Sequence, residues 1–325
     1  MRIISLLSIT ILLILSAACG NNSTSGKKDG TLQIYTTMYP LEYFTERIGG
    51  KHVDVSSIIP PGADAHTYEP STKKMVEMTE GDAFVYNKLQ SDEFSSSVAD
   101  TLKEEKMPII DGAKGISYHE SAEHEGEDHA AEEEHAHEDE HAQEEEEHHD
   151  HGSLDPHIWL DPVLAQQIAD NIYNGLVKLN PDAKDDFKKN HEALIADLKE
   201  LDSSFKTKVE NAPKNSFIVS HAAYGYWAER YGLEQIAISG LSPSHEPSQH
   251  QIEKIIENAK KEKTSYILFE ENVNNKVAAM IKKEVGAETL TLHNLETLTK
   301  DDIKKDRDYL SIMNQNIDTL SKALQ

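Results

Sequence analysis

A strand, a helix and a second strand follow one another in residues 213–239, which read PKNSFIVSHAAYGYWAERYGLEQIAIS. The apolar run Phe217–Val219 predicts a buried strand, Tyr224–Tyr231 predicts a helix, and Gln235–Ser239 predicts the next strand. Strands that alternate with helices are typical of a parallel sheet with covering helices, so this stretch predicts an α/β fold. His221 lies where the first strand ends, at the edge where open α/β sheets hold their ligands.

The same alternation extends through the chain on both sides of this stretch. The predicted strands in the first third are Leu32–Tyr35, Val53–Ile59, Ala83–Tyr86 and Pro108–Ile110, and the helices between them are Leu41–Ile48, Thr72–Glu80 and Phe94–Lys103. Beyond residue 240, the predicted strands are Tyr266–Phe269 and Thr289–Leu292, and the predicted helices are Ser248–Lys261, Val273–Val285 and Asp302–Leu324. Two separate α/β regions are therefore expected.

A helical region separates the two α/β regions. Val163–Val209 predicts two helices, and Asn180 with Pro181 supplies a cap and a first-turn proline for the second. The second helix has a long apolar stripe, Phe187, His191, Leu194, Leu198, Leu201 and Phe205. We predict an α/β fold of two lobes, each a mainly parallel sheet with covering helices, joined by a long helix.

Charge and cysteine content exclude several classes of protein. The 325 residues carry a formal net charge of -26 and one cysteine. A nucleic-acid-binding protein needs a basic face, and a disulfide scaffold needs paired cysteines. After residue 30, no stretch approaches the roughly 18 apolar residues of a spanning helix.

The N-terminus has the pattern of an export signal. Arg2 precedes the apolar stretch Ile3–Leu15, and small residues then lead to Cys19. The stretch Leu15–Cys19 resembles a bacterial lipobox, although Ser16 stands where leucine is usual. We predict a signal peptide at 1–18, a lipid on Cys19 and a flexible tether at 19–30.

An acidic, histidine-rich segment interrupts the first α/β region. Residues 119–151 contain sixteen acidic residues and no Lys or Arg. Because it has almost no apolar side chains, we predict a disordered loop at 117–152. Its histidines are candidates for weak zinc binding: His119, His124, His129, His135, His137, His141, His148, His149 and His151. The HExxH pattern at 137–141 is expected by chance in this composition and is weak evidence for a zinc protease.

Three histidines outside this segment lie in unusual surroundings. His66 lies in a turn-rich stretch after a strand, His157 lies between two Asp-Pro turns, and His221 follows a strand. Imidazole is the commonest metal ligand near neutral pH and suits zinc. A tetrahedral site needs a fourth ligand, for which His293 and Glu296 are the local candidates.

These segments resemble those of the metal-binding lipoproteins of bacterial ABC importers for zinc and manganese. The closest matches are Asp155–Pro162 and Ser220–Tyr226, whereas Ala65 stands where the family usually has proline. The resemblance implies metal ligands at His66, His157 and His221. It places the fourth at Glu296, with Glu270 and Glu271 as fallbacks. An acidic, histidine-rich insertion is typical of the zinc branch.

The resemblance implies a function, a location and partners. It predicts a monomeric, non-enzymatic protein that binds Zn(II) and delivers it to an ABC permease with its ATPase subunit, and that binds no nucleic acid. The protein would lie on the outer face of the cytoplasmic membrane, anchored by lipid on Cys19. The alternatives are a manganese-binding protein of the same importer class and a zinc-dependent hydrolase. The predicted lobes are 31–162 and 213–325, with the connecting helical element at 163–212.

Overall fold

The structure is a computed structural model that describes residues 30–88, 93–119, 154–241, 247–270 and 276–325. Within these ranges the strands form two four-stranded parallel sheets. All of their elements belong to one unit, Leu32–Gln325.

The first sheet is built from the N-terminal part of this unit. Its elements are β1 (Leu32–Thr36), α1 (Tyr39–Gly49), β2 (Val53–Ser57), α2 (Thr72–Met78), β3 (Ala83–Tyr86), α3 (Glu93–Glu104) and β4 (Ile109–Asp111). The strand order is β2-β1-β3-β4, and each neighbouring pair is parallel. The predicted strand Val53–Ile59 is two residues too long, since β2 ends at Ser57. The Ile58 amide still donates to the Thr36 carbonyl at 2.8 Å, and the chain then enters a turn that begins with Pro60 and Pro61.

Two long helices follow, α4 (Pro162–Leu179) and α5 (Lys184–Glu210). The Asp161 side chain caps α4 by accepting hydrogen bonds from the amides of Val163 and Leu164. The predicted cap of α5 is wrong, because the Asn180 side chain makes no capping hydrogen bond. Instead, Pro181–Ala183 forms a 3₁₀ turn, closed by the Ala183 amide donating to the Asn180 carbonyl at 3.2 Å, and α5 begins after it.

The second sheet repeats the strand arrangement of the first. Its elements are β5 (Ser216–His221), α6 (Gly225–Tyr231), β6 (Glu234–Ser239), α7 (Gln249–Lys261), β7 (Tyr266–Glu270), α8 (Lys276–Val285), β8 (Glu288–Leu292), α9 (Lys300–Lys304) and α10 (Tyr309–Ala323). The order is β6-β5-β7-β8, again parallel throughout. The carboxyl ends of β5 and β7 are neighbours at the point where the strand order reverses, which is the usual ligand position in open α/β sheets.

The predicted single helix Asp302–Leu324 is wrong, because the chain breaks it into α9 and α10. Asp306 adopts a left-handed conformation with φ of 50°, which ends helical hydrogen bonding. Asp308 then caps α10 by accepting a hydrogen bond from the Ser311 amide at 2.9 Å. Acidic residues that in the sequence are compatible with an exposed helix face therefore end the first helix and cap the second.

One hydrophobic core connects the two lobes. It contains Ile34 of the first sheet, Leu198 of α5 and Phe217 of the second sheet, all at most 3% exposed. The stripe predicted on α5 faces this core at Phe187, Leu194, Leu198, Leu201 and Phe205. Because α5 packs against α1 and α4 and also against α6 and α10, it joins the lobes through apolar burial. Within the described ranges, no helix combines the length and the apolar character needed to cross a bilayer.

Candidate metal centre

Four side chains from four separate segments converge where the lobes meet. His66 lies in the loop after β2, His157 precedes α4, His221 ends β5, and Glu296 follows β8. Their ligand atoms, one from each residue, all lie within 4.8 Å of one another. The structure therefore brings together the four residues that the sequence resemblance picks out.

The loop that carries His66 is shaped by Asp64. The Asp64 carboxylate accepts hydrogen bonds from the His66 amide at 2.9 Å and from the Thr67 hydroxyl at 3.2 Å. Such an aspartate-centred turn is a local device that short side chains with acceptor oxygens favour. It presents the His66 ring toward the other three side chains.

The distances within the group suit one small cation. Glu296 Oε1 lies 3.0 Å from His66 Nε2 and 3.4 Å from His157 Nε2. The ring centroids of His157 and His221 are 5.4 Å apart. Ligands about 2.0–2.1 Å from a tetrahedral zinc ion lie about 3.3 Å from each other, which is close to these oxygen–nitrogen separations.

The inward-facing nitrogen atoms of the three histidines are buried and lack well-formed hydrogen bonds. His157 and His221 are 0% exposed and Glu296 is 6% exposed. The Nε2 atoms of all three histidines are buried, and none of them makes a hydrogen bond with good geometry to another described residue. Buried polar atoms are almost always satisfied in folded proteins, so three such atoms around one point indicate a missing shared partner.

Two carboxylates orient two of the rings from behind. Asp155 Oδ1 lies 2.7 Å from His157 Nδ1, and it also accepts a hydrogen bond from the His157 amide at 2.9 Å. Glu270 Oε1 lies 2.5 Å from His221 Nδ1. A carboxylate at Nδ1 holds the proton there and leaves the Nε2 lone pair free for a metal, which is the common arrangement behind zinc-bound histidines.

The carboxylates also set the charges of the metal-free site. Burial lowers the pKa of His157, but Asp155 and Glu296 outweigh burial and raise that pKa to about 10. Burial likewise lowers the pKa of His66, but Glu296 outweighs it and raises the pKa above its ordinary value. In return, the two imidazolium rings overcome the effect of burial and hold the pKa of Glu296 well below its usual range.

A strained turn places Glu296. Leu295, which is fully buried, has a φ of 64°, a left-handed conformation that costs a non-glycine residue of order 1 kcal/mol or more. The turn is held by hydrogen bonds at both ends. The Trp159 indole donates to the Asn294 carbonyl at 2.8 Å, and the Tyr39 amide donates to the Glu296 carbonyl at 3.1 Å.

The structure separates Glu296 from the other candidates for a fourth ligand. His293 Nδ1 accepts a hydrogen bond from the Leu295 amide at 2.9 Å, and its Nε2 lies 3.2 Å from Asp302. Both ring nitrogens are thus engaged within the second lobe, and His293 supports the turn. Glu270 lies behind His221 rather than among the converging atoms, and Glu271 is outside the described residues.

The histidines of the acidic segment lie outside the described residues, except His119. Its ring pairs with Glu229 through Nδ1 and stacks edge-on against Tyr226. The His119 carbonyl accepts a hydrogen bond from the Asp155 amide at 2.9 Å. Residues 117–119 therefore have defined positions, although the loop is predicted to be disordered from residue 117. The hydrogen bond also places His119 and Asp155, which flank the acidic segment, next to each other.

Two functional residues were not identified as such from the sequence. Asp155 appeared only as part of a turn, and Glu270 appeared only as a possible ligand. The signal for Asp155 was its position two residues before a candidate ligand, where its side chain reaches that ring. Glu270 had no local signal, because its contact with His221 joins the ends of two neighbouring strands.

The assembled donor set defines what the site can do chemically. If all four bound one ion, three imidazole nitrogens and one carboxylate oxygen would fill a four-coordinate shell and leave no position for a reactive water. Imidazole-rich shells suit zinc, whereas manganese favours shells of carboxylate, carbonyl and water oxygens. The donor set thus suits zinc.

Comparison with known proteins relates nearly the whole chain to zinc-uptake proteins. Residues 34–323 match the family model for ZnuA, the periplasmic zinc-uptake complex component A. The chain is 39% identical over 314 residues to the high-affinity zinc uptake system protein ZnuA of Bacillus subtilis, covering 96% of this chain and 94% of that one. It is 36% identical to the zinc-binding lipoprotein AdcA of Streptococcus pneumoniae, spanning 99% of this chain but only 61% of AdcA.

The fold supports the sequence match. The crystal structure of the Zn(II)-bound ZnuA-like domain of Streptococcus pneumoniae AdcA superposes with a TM-score of 0.72 at 34% identity, covering 91% of this chain and 99% of that domain. The two parallel-sheet lobes are thus the fold of known zinc-binding proteins. On this evidence, the chain belongs to the family of zinc-uptake complex component A proteins.

Proposed function

We propose that this protein captures Zn(II) outside the cytoplasm and delivers it to an ABC permease, with His66, His157, His221 and Glu296 as the four zinc ligands. The observation that carries the proposal is the convergence of three buried Nε2 atoms, none with a well-formed hydrogen bond, and one carboxylate on a single point. The ZnuA and AdcA relatives are named for zinc uptake and zinc binding. Membership of their family makes the protein a substrate-binding component of a transporter and not an enzyme.

The charges of the donor set support reversible capture. Three neutral imidazoles, one carboxylate and Zn²⁺ give a complex of net charge +1, and Asp155 and Glu270 lie directly behind two of the rings. The positive complex is therefore compensated within the buried site without a further ligand. The energy for import comes from the ATPase subunit of the permease across the membrane.

Export and anchoring complete the proposal. Residues 1–18 act as the signal peptide, Cys19 carries lipid, and residues 19–30 form the tether to the outer face of the cytoplasmic membrane. The folded part comprises the lobes at 31–162 and 213–325 with the connecting element at 163–212, and it acts as a monomer. The histidines of the acidic segment bind further zinc ions weakly and raise the local zinc concentration near the site. All residues before 30 lie outside the described structure.

The proposal is tested by titrating metal into purified, metal-free protein in competition with a chelator. We expect one tight site for zinc and much weaker binding of manganese, with no turnover of ester, peptide or phosphoester substrates. The His66→Ala variant should lose the tight site, and His191→Ala is the matched control, since His191 pairs with Asp170 on the helices. Tighter binding of manganese than zinc would favour the manganese alternative. Turnover would favour the hydrolase.

A further inference from the structure

We infer that Trp159 is a positioning residue for metal binding, whose indole N–H holds the turn at Asn294–Glu296 so that the Glu296 carboxylate closes the site. This inference rests on the proposed function, because it takes Glu296 as a ligand. It adds a residue that touches no metal and that acts through the fourth ligand.

The indole makes the decisive contact. Trp159 Nε1 donates to the Asn294 carbonyl at 2.8 Å, across 135 residues of sequence. Trp159 is 2% exposed, so water has little access to compete for this hydrogen bond. The carbonyl belongs to the residue before Leu295, whose φ of 64° persists only while the surroundings enforce it. Loss of the indole donor releases one end of the strained turn that carries Glu296.

Trp159 is itself held next to another ligand. It lies two residues after His157, and the two rings have centroids 5.3 Å apart. Its own carbonyl accepts a hydrogen bond from the Tyr309 hydroxyl at 2.6 Å. One rigid residue therefore sets the position of Glu296 relative to His157, whose Nε2 lies 3.4 Å from Glu296 Oε1.

A neighbouring contact acts on the same turn from another side. The Thr297 hydroxyl donates to the Ala63 carbonyl at 3.2 Å, in the loop that carries His66. The turn is thus tied to the segments of two other ligands. The buried His293 ring also supports this turn, but from the adjoining residues of the same segment. Trp159 is the large, fixed side chain that reaches the turn from the segment of another proposed ligand, and for that reason we assign the positioning role to it.

The chain offers a matched control, because it contains only two tryptophans. Trp227 is fully buried and its indole donates to the Leu160 carbonyl at 2.6 Å, in the same turn as Trp159. Trp227→Phe removes a comparable hydrogen bond without a contact to the Glu296 turn. We expect Trp159→Phe to lower zinc affinity at least about tenfold, which is the usual effect of losing a group that orients a ligand. We expect Trp227→Phe to change zinc affinity less than about threefold, because the Trp159 indole is retained.

A double-mutant cycle with Glu296→Ala separates positioning from a general structural role. If Trp159 acts through Glu296, Trp159→Phe causes no further loss of zinc affinity in the Glu296→Ala protein. Equal losses in both backgrounds, or no loss in either, would overturn the inference. An unchanged affinity in Glu296→Ala alone would instead refute the assignment of Glu296 as a ligand, which is a failure of the proposed function.

A second measurement covers the case in which Trp159→Phe does not fold. In the Trp227→Phe protein, Trp159 is the only indole, so its N–H resonance is assigned without ambiguity. We expect saturating zinc to slow hydrogen exchange of this N–H at least about tenfold, and to leave it unchanged in the Trp227→Phe, Glu296→Ala protein. Exchange that is insensitive to zinc with Glu296 present would contradict the inference.

Discussion

Zinc binding should displace protons from the metal-free site. The carboxylates around His157 raise its pKa to about 10, so its Nε2 carries a proton at pH 7. The pKa of His66 is also raised above its ordinary value of about 6.5, chiefly because Glu296 outweighs the effect of burial. Zinc needs the Nε2 lone pairs of both rings, and each proton must leave before the metal binds.

The magnitude follows from counting these protons. Each displaced proton makes the observed zinc affinity rise about tenfold per pH unit. Near pH 6, where both rings are protonated, the two together give a rise of about a hundredfold per unit. Between pH 8 and pH 10, His157 still contributes up to about tenfold per unit, declining as the pH reaches its pKa of about 10.

The assay is calorimetric titration at pH 6 in buffers that differ in ionisation enthalpy. The dependence of the measured heat on the buffer should show about two protons released by these two rings for each zinc ion bound. Asp155→Asn is the matched variant, because it removes the carboxylate that raises the pKa of His157. In that variant, the rise of zinc affinity with pH that His157 causes above pH 8 should be lost. An affinity that is flat from pH 6 to pH 9 would refute the reasoning.

The raised pKa of His157 also affects the stability of the metal-free protein, which should decrease as the pH rises, whereas zinc affinity increases. A histidine whose pKa is raised on folding stabilises the fold fully below its unfolded pKa of about 6.5, and this stabilisation is lost as the pH rises through the folded value. For His157, the loss extends from about pH 6.5 to about pH 10. The melting temperature of the metal-free protein should therefore fall over this range, and the gain in melting temperature on adding zinc should grow.

Four further predictions concern variants of the chain. Alanine at any one ligand histidine should lower zinc affinity at least about a hundredfold in chelator competition, for His66, His157 and His221 alike. Glu270→Gln should lower zinc affinity about 10- to 100-fold in the same assay, because it leaves the His221 ring without its orienting carboxylate. Deleting residues 121–152 should leave the tight site intact and remove weaker ones in calorimetric titration, since the flanking His119 and Asp155 are hydrogen-bonded at 2.9 Å. Cys19→Ala should move the protein from the membrane fraction to the medium, as followed by immunoblotting of fractionated cultures.

Much of the fold could be read from the sequence because its signals are local. Strands such as Ala83–Tyr86 are short apolar runs, and the structure places a strand at those residues. The predicted stripe of α5 repeats at helical spacing, and its members are buried except His191, which is partly exposed and pairs with Asp170. The break between α9 and α10 was missed because it depends on a left-handed Asp306 and on a cap by Asp308, and acidic residues are equally at home on an exposed helix face.

Part of the site could also be predicted from the sequence, because some of its signals are local. His221 ends a recognisable strand, and His66 follows one in a turn-rich loop, so both stand at the ligand-binding edge of a sheet. Between His293 and Glu296, spacing alone could not decide, because both follow the same strand within four residues. The resemblance favoured Glu296. The physical reason emerges only in three dimensions, where His293 uses both ring nitrogens to support the turn that presents Glu296.

The orientation of the ligands depends on contacts between residues far apart in the sequence. Glu270 and His221 end neighbouring strands, and Trp159 reaches Asn294 across 135 residues. On the proposed assignment, these partners orient the His221 ring and the turn that carries Glu296, and so we expect them to affect the affinity for zinc rather than the identity of the metal. A relative that keeps the four proposed ligands but changes Glu270 or Trp159 should therefore bind zinc with altered affinity, because the same donors would be held less firmly.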